Sequence, residues 1–526
     1  MSDSLVAEGS KLQEKRIEHQ LSASKDPLDD VEASVIHDIH HGSLNPRTNA
    51  LQRWAYRLEA LAGVEARGIE RVPESLRAKN TTFGDYAQIA LIWFSANITA
   101  NNLTLGLLGP LVFNLGLTDA MLTGTFGTLF GACATAYIST FGPLSGNRTL
   151  VNARYTMGWW PSRLAVLLNI VIMLGYGLID SLLCGQILSA VAGGSMTVIV
   201  GTIVSSVITL LVTAFGIRLF HVYERYAFLP QVLVLFVLVG VAGPSFGANT
   251  ASVGDTSAIL SADKLSFFFL AASVPLSWAP AACDFFVYFP PSASRWKVFL
   301  CTTLGLGISL IFVVLLGVGL ASGVATNPSW AAANNVSAGA LITEAYSPLG
   351  AFGSFCAVVV ALGNIANNIP GTYSAALSFQ LLGKWFLMVP RIFWTLFAVV
   401  VYTVCACAGR NKLYIIFQDF LALMGYWTMM WVTLTLEEEF VFRRRRGGYN
   451  WADWNSQSKL PIGIAALTAF LVGWVGAVLS MYQVYFTGPI AKLVGNGADL
   501  GFPVSVSWAA LVYPPLRWLE LRRFGR

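Results

Sequence analysis

The chain has 526 residues, of which 55% are hydrophobic and only 12% charged. One soluble core cannot hide that much apolar surface, and the apolar runs exceed what a soluble helix needs, so the composition excludes a soluble globular enzyme and implies a polytopic membrane protein. The net charge of +5 sits in tails and loops, where it reports topology and not an acidic or nucleic-acid partner.

Residues 1–50 are polar and show no cleavable signal peptide. His37, His40 and His41 form a loose group there, read as part of a disordered cytoplasmic tail, with a metal site as the alternative. From Leu51 to Val72, Trp54, Leu58, Leu61 and Val64 recur at helical spacing and predict a short surface helix. Twelve spanning segments follow, near 88–113, 119–141, 163–190, 196–216, 228–246, 267–288, 298–321, 351–377, 391–408, 413–434, 460–480 and 502–519. The expected organisation is a cytoplasmic tail (1–85), a transmembrane core (86–435), a charged cytoplasmic loop (436–459), and two last helices with a short tail (460–526).

Basic residues concentrate in the even loops: Arg148, Arg154 and Arg163; Arg218, His221 and Arg225; Arg295 and Lys297; Lys384 and Arg391; and the run Arg443 to Arg446; odd loops are poor in them apart from Arg410 and Lys412 in the ninth. The tail ends in Arg522, Arg523 and Arg526. The positive-inside rule therefore puts even loops and both termini in the cytoplasm. The long loop near 322–350 is then external and holds Asn335-Val-Ser337, a glycosylation acceptor pattern. Glu437 to Glu439, followed by the arginine run, read as a solvated charged loop, with anionic lipid as an alternative partner. The seven cysteines are scattered through apolar runs without metal-ligand spacing, so neither a metal site nor a structural disulfide is expected.

Polar residues inside spans are costly and usually face a bundle interior or a substrate path. Segment one carries Ser95, Asn97, Thr99, Asn101, Asn102 and Thr104 within one apolar run. Segment six reads Ser273-Val-Pro275-Leu-Ser277-Trp278-Ala-Pro280, and two prolines five apart predict a break. Interrupted segments five apart in order are what a five-plus-five inverted repeat produces, with substrate near the midplane where unwound backbone lines a cavity.

Segment eight carries Asn364, Asn367 and Asn368, with Asn364 and Asn368 one turn apart on a shared helical face, and Pro370-Gly371 expected to weaken the helix beyond them. In segment three Tyr176 and Asp180 share a face. Asp180 is an acid in an apolar span, open to three roles: proton carrier, acceptor for a donor on the substrate, or structural acid bonded to a neighbouring helix. Asp284, near the cytoplasmic end of segment six, reads as a capping or gating contact. Aromatic faces at Tyr176 and Trp278 suit a flat heterocycle, and side-chain amides supply the donor and acceptor that a nucleobase edge requires.

At these residues the chain resembles the fungal purine-cytosine permeases of the nucleobase-cation-symporter-1 family. The matching stretches are Phe94 to Asn102 with Gly106-Leu-Leu-Gly-Pro110, Trp159-Trp160-Pro-Ser162, Gly175 to Gln186, Ser277 to Pro290, and Gly363 to Pro370. The resemblance implies an all-α, LeuT-like five-plus-five transporter with two extra C-terminal helices. It implies import of cytosine and purines with a cation, a proton in the fungal members, at a multi-pass plasma-membrane protein. Carried over by motif, the binding residues are Ser95, Tyr176, Asp180, Trp278, Asn364 and Asn368, with Asn97 and Asn367 beside them.

Family members that take cytosine and purines resemble Trp-x-x-x-Asn on segment three, where this chain has Tyr176 and Asp180. That departure keeps a vitamin B6 permease of the same scaffold as an alternative. Sodium-coupled relatives carry a hydroxyl pair on segment eight; Val358-Val359 and Leu362-Gly363 offer none, which favours a proton. No nucleophile–base constellation or phosphate loop appears, so no enzyme and no cofactor are expected. The expected partners are a small nucleobase and the lipid bilayer, without nucleic acid or an obligatory protein.

Overall fold

The computed structural model describes residues 69–215, 217–494 and 497–526. The His37, His40 and His41 group and the helix expected over 51–72 lie outside these residues, apart from 69–72 of the latter. Each of the twelve predicted segments coincides with a helix or an interrupted helix pair. Among the described residues eight helices are long and apolar enough to cross a membrane, and Val198–Ala214 and Ile464–Ser480 are shorter apolar helices.

Segment one is two helices, Phe83–Asn97 and Ala100–Val112. Segment six is Ser257–Leu276 followed by a 3-10 stretch, Ala279–Phe286. Segments two, three and four are Leu117–Ser139, Ser162–Val191 and Val198–Phe215. Segments five, seven and eight are Ile217–Ala242, Arg295–Val324 and Ala351–Leu381. Segments nine to twelve are Arg391–Ala408, Leu413–Glu437, Ile464–Ser480 and Gly501–Phe524. The loop between segments seven and eight folds into two short helices, Pro328–Val336 and Ala338–Ala345. Asn335 is exposed on the first, and Ser337 caps the second by accepting from the Ala340 amide.

The helices form two groups. Segments one, two, six and seven pack on one another, as do segments three, four, eight and nine. Small residues let the first group close. A Cβ on Gly106 would stand 2.1 Å from the Val314 carbonyl oxygen, and one on Gly317 would stand 2.1 Å from that of Leu103. The backbones of segments one and seven thus touch where only glycine fits. In the second group Asn169 Nδ2 donates to Ser378 Oγ at 3.0 Å, and Asn368 Nδ2 to Ser181 Oγ at 3.3 Å, joining segment three to segment eight.

Two expectations are corrected. Segment eight runs through Pro370 to Leu381 without a break. Proline costs a helix one hydrogen bond, and packing by neighbouring helices makes that loss tolerable inside a membrane bundle. The Glu437–Glu439 stretch is not simply solvated. Glu438 is 0% exposed and accepts from Arg517 Nε at 2.9 Å, Arg443 Nε at 2.7 Å and the Tyr513 hydroxyl at 2.8 Å. The charged run therefore clamps segment ten to segment twelve.

Candidate functional site

The break in segment one falls at Ile98 and Thr99, one residue beyond Asn97. Side chains repair the lost helical bonds. Asn102 Nδ2 donates to the Asn97 carbonyl at 2.8 Å, and the Asn102 amide donates to Asn101 Oδ1 at 2.7 Å. In segment six the helix stops at Leu276, and Thr135 Oγ1 of segment two donates to the Pro275 carbonyl at 2.7 Å. Unwound backbone is affordable at this depth because such donors reach it. The break turns the indole of Trp278 toward segment one, where its Nε1 donates to Asn97 Oδ1 at 2.8 Å. Trp93 braces that ring edge-on, at a centroid distance of 5.6 Å.

Between the two breaks and the paired segments three and eight lies a cavity. It is lined by Asn97, Asn101, Asn102, Met173, Tyr176, Asp180, Val274, Ser277, Trp278, Asn367, Asn368 and Gly371. Asn367 Nδ2 donates to Asp180 Oδ2 at 3.2 Å. Asp180 is only 2% exposed. Ser277 Oγ and the Tyr176 hydroxyl are 3.0 Å apart, bridging segments six and three. Asn368 is held from both sides, by Ser181 and by the Thr372 hydroxyl, which donates to its Oδ1 at 3.2 Å. Gly177 allows the Tyr402 ring of segment nine to lie against segment three, since a Cβ there would stand 2.6 Å from the ring.

Six of the eight expected binding residues line this cavity: Asn97, Tyr176, Asp180, Trp278, Asn367 and Asn368. Ser95 and Asn364 are not among its lining residues. Ser95 lies before the break on the first half of segment one. Asn364 is fully buried one turn away, where its Oδ1 accepts from the Asn101 amide at 3.3 Å. Asp284 stands apart from the cavity. It accepts from the Thr149 amide at 2.8 Å and from Arg148 Nη1 at 3.2 Å, which ties the end of segment six to the loop between segments two and three. The sequence reading assigned no binding role to Asn101 or Asn102, although the polar density of segment one marked the stretch that holds them.

Residues 72–497 match the family described as "Permease for cytosine/purines, uracil, thiamine, allantoin". The chain belongs to this family. Members similar to it include the purine-cytosine permease fcyB of Emericella nidulans, 34% identical over 482 residues, covering 89% of this chain and 91% of the relative. The purine-cytosine permease FCY2 of Saccharomyces cerevisiae is 32% identical, covering 90% and 89%. The vitamin B6 transporter TPN1 of the same yeast is 31% identical, covering 90% of each chain. Among solved structures, Mhp1, a nucleobase-cation-symport-1 transporter in a closed conformation with bromovinylhydantoin bound, superposes with a TM-score of 0.64 at 13% identity, covering 88% of this chain and 96% of that one. The fold is therefore the LeuT-like fold of the nucleobase-cation-symporter-1 transporters. As a permease of this family the chain is a multi-pass membrane transporter and not an enzyme.

Proposed function

We propose that this permease imports nucleobases, namely cytosine and/or purines such as adenine, guanine and hypoxanthine, by proton symport across the plasma membrane, with both termini cytoplasmic. The observation that carries this reading is the lining of the central cavity: two aromatic rings, five side-chain amides and one buried acid. Rings at Tyr176 and Trp278 give a flat heterocycle two faces to pack on. The amides and Asp180 offer donors and acceptors to its edge. The names of the E. nidulans and yeast relatives support the same substrate class.

Transport follows alternating access, in which segments one, two, six and seven rock against three, four, eight and nine around the cavity. Asp180 is the group assigned to carry the coupling proton, because it is the acid that lines the site. Asp284, fastened to Arg148 and Thr149, is assigned to gating at the cytoplasmic end. Sodium is disfavoured by Val358-Val359 and Leu362-Gly363, which bring no side-chain oxygen to segment eight.

A second reading, vitamin B6, is favoured by Tyr176 and Asp180, where the cytosine and purine pattern has tryptophan and asparagine, and by the similarity to the yeast vitamin B6 transporter. A buried acid complements a basic pyridine nitrogen as well as it does a base N–H. Radiolabelled uptake in permease-deficient cells decides, with cytosine, adenine, guanine, hypoxanthine and pyridoxine as competitors. Competition by the bases is expected; competition by pyridoxine alone overturns the nucleobase reading.

A further inference from the structure

A second, smaller cavity lies nearer the Arg443–Arg446 end of the molecule. Asn152, Tyr155, Cys283, Trp431, Tyr449 and Trp451 line it. Three of its rings pack on one another and form one side of the lining. Tyr449 and Trp451 stack at 4.5 Å and 22°, and Tyr155 meets Trp451 edge-on at 5.0 Å and 69°. The loop bearing Tyr449 and Trp451 is fastened to the stretch after segment two: the Tyr155 hydroxyl donates to the Asn450 carbonyl at 3.0 Å, and Arg154 Nη1 to that of Trp454 at 3.1 Å.

Two polar atoms of this lining have no hydrogen-bond partner among the described residues. They are Nε1 of Trp431, a side chain only 2% exposed, and Oδ1 of Asn152. A buried donor without a protein partner is expensive and takes its acceptor from a water or a ligand. One donor and one acceptor among aromatic faces repeat the chemistry of the central cavity. Cys283 of the second cavity lies on the 3-10 stretch that begins just after Trp278 of the central one. At about 2 Å per residue of such helix the second cavity lies roughly 10 Å further along segment six.

We propose that this cavity is a second binding site for the same class of planar heterocycle, taken up by substrate that has left the central site toward the cytoplasm. Trp431 Nε1 donates to a ring nitrogen or carbonyl, Asn152 Oδ1 accepts an N–H, and Tyr449 and Trp451 cover the ring. The inference rests on the substrate class proposed above, and one experiment separates the two. Equilibrium binding of tritiated adenine, cytosine and pyridoxine is measured on the purified full chain, on Asn368→Ala, and on Asp180→Asn should the first variant not fold.

The variant altered at the central site is expected to lose the tight component and to keep a weaker saturable one. Adding Trp431→Phe, which keeps a ring and removes the N–H, should weaken that residual binding about tenfold; adding Trp451→Ala should remove it. A folded central-site variant without saturable binding, or residual binding indifferent to both further substitutions, overturns the second site while leaving the central one standing. An unaltered chain that binds none of the three probes overturns the substrate class and the second site together.

Discussion

At Asp180 one carboxylate oxygen receives the Asn367 amide at 3.2 Å in a side chain only 2% exposed. Neutral amide donors do not balance a full charge at that depth, which leaves a proton or an N–H of the substrate to complete the site. Asp180→Ala should abolish uptake, and Asp180→Asn should cut it about tenfold or more, the loss expected from one charge-assisted hydrogen bond of roughly 1.5–3 kcal/mol. What uptake remains in Asp180→Asn should no longer depend on external pH. Tritiated uptake between pH 5 and 8, normalised to protein at the cell surface, checks this; full pH-dependent uptake in Asp180→Ala removes the residue from both roles. Asn368→Ala, which takes away a cavity amide held by Ser181 and Thr372, should also abolish uptake at normal surface abundance.

The residue scale is also where the sequence was least legible. Helical spacing put Asn364 and Asn368 on one face, yet Asn364 is one turn further along and meets segment one instead of the cavity. Spacing gives a shared direction, not the distance at which a neighbour closes over it. Glu438 read as a loop charge because its partner Arg517 is 79 positions away in the chain. Arg517→Ala leaves Glu438 buried with only Arg443 and Tyr513, and removing one partner of a buried pair costs roughly 3–5 kcal/mol. The purified variant should melt at clearly lower temperature than the unaltered protein, and an unchanged melting curve would show that the clamp adds nothing.

At the scale of elements the sequence was most legible, because a bilayer demands about 20 apolar residues per span and leaves that length in the chain. The breaks in segments one and six were legible for the same physical reason: asparagines, serines and prolines in an apolar run are too costly to leave unexplained. The turn between segments eleven and twelve was not anticipated. Its short hairpin pairs Tyr482 with Thr487, and its Asp499 accepts from the Tyr426 hydroxyl, from Gln483 Nε2 at 2.7 Å and from the Gly501 amide at 2.9 Å. The Asp499 amide also donates to Ser266 Oγ at 3.1 Å, so one residue fastens this turn to segments ten and six.

Burial pushes the Asp499 carboxyl up to about 6 from its ordinary 3.8, with the hydrogen bonds opposing. A folded-state acid that titrates above its unfolded value favours folding while protonated. Its contribution is complete below about pH 4 and is lost as pH rises through about 6. The melting temperature of the unaltered protein minus that of Asp499→Asn should therefore fall between pH 4 and pH 7. A difference that stays flat across that interval sinks the assignment.

For the whole molecule, the question is what joins the two helix groups that the proposed alternating access would move past one another. Within each group the contacts are close and specific: glycine-seated backbone between segments one and seven, and paired polar side chains between three and eight. Between the groups, hydrogen bonds converge at the cavity, where the Asn101 amide meets Asn364 Oδ1 and Ser277 meets Tyr176. The resemblance made the grouping of segments legible, but not these bridges, which depend on how far the groups have closed.

Asn364 is the useful probe because it bridges without lining the cavity. Asn364→Ala removes a contact present in this conformation, worth about 1 kcal/mol net, and so shifts the balance of conformations about fivefold. The maximal uptake rate should change within that factor, while the ranking of cytosine, adenine, guanine, hypoxanthine and pyridoxine as competitors should stay as it is. A changed ranking would mean that Asn364 touches substrate, and the bridge would then belong to recognition instead of to the movement of the two groups.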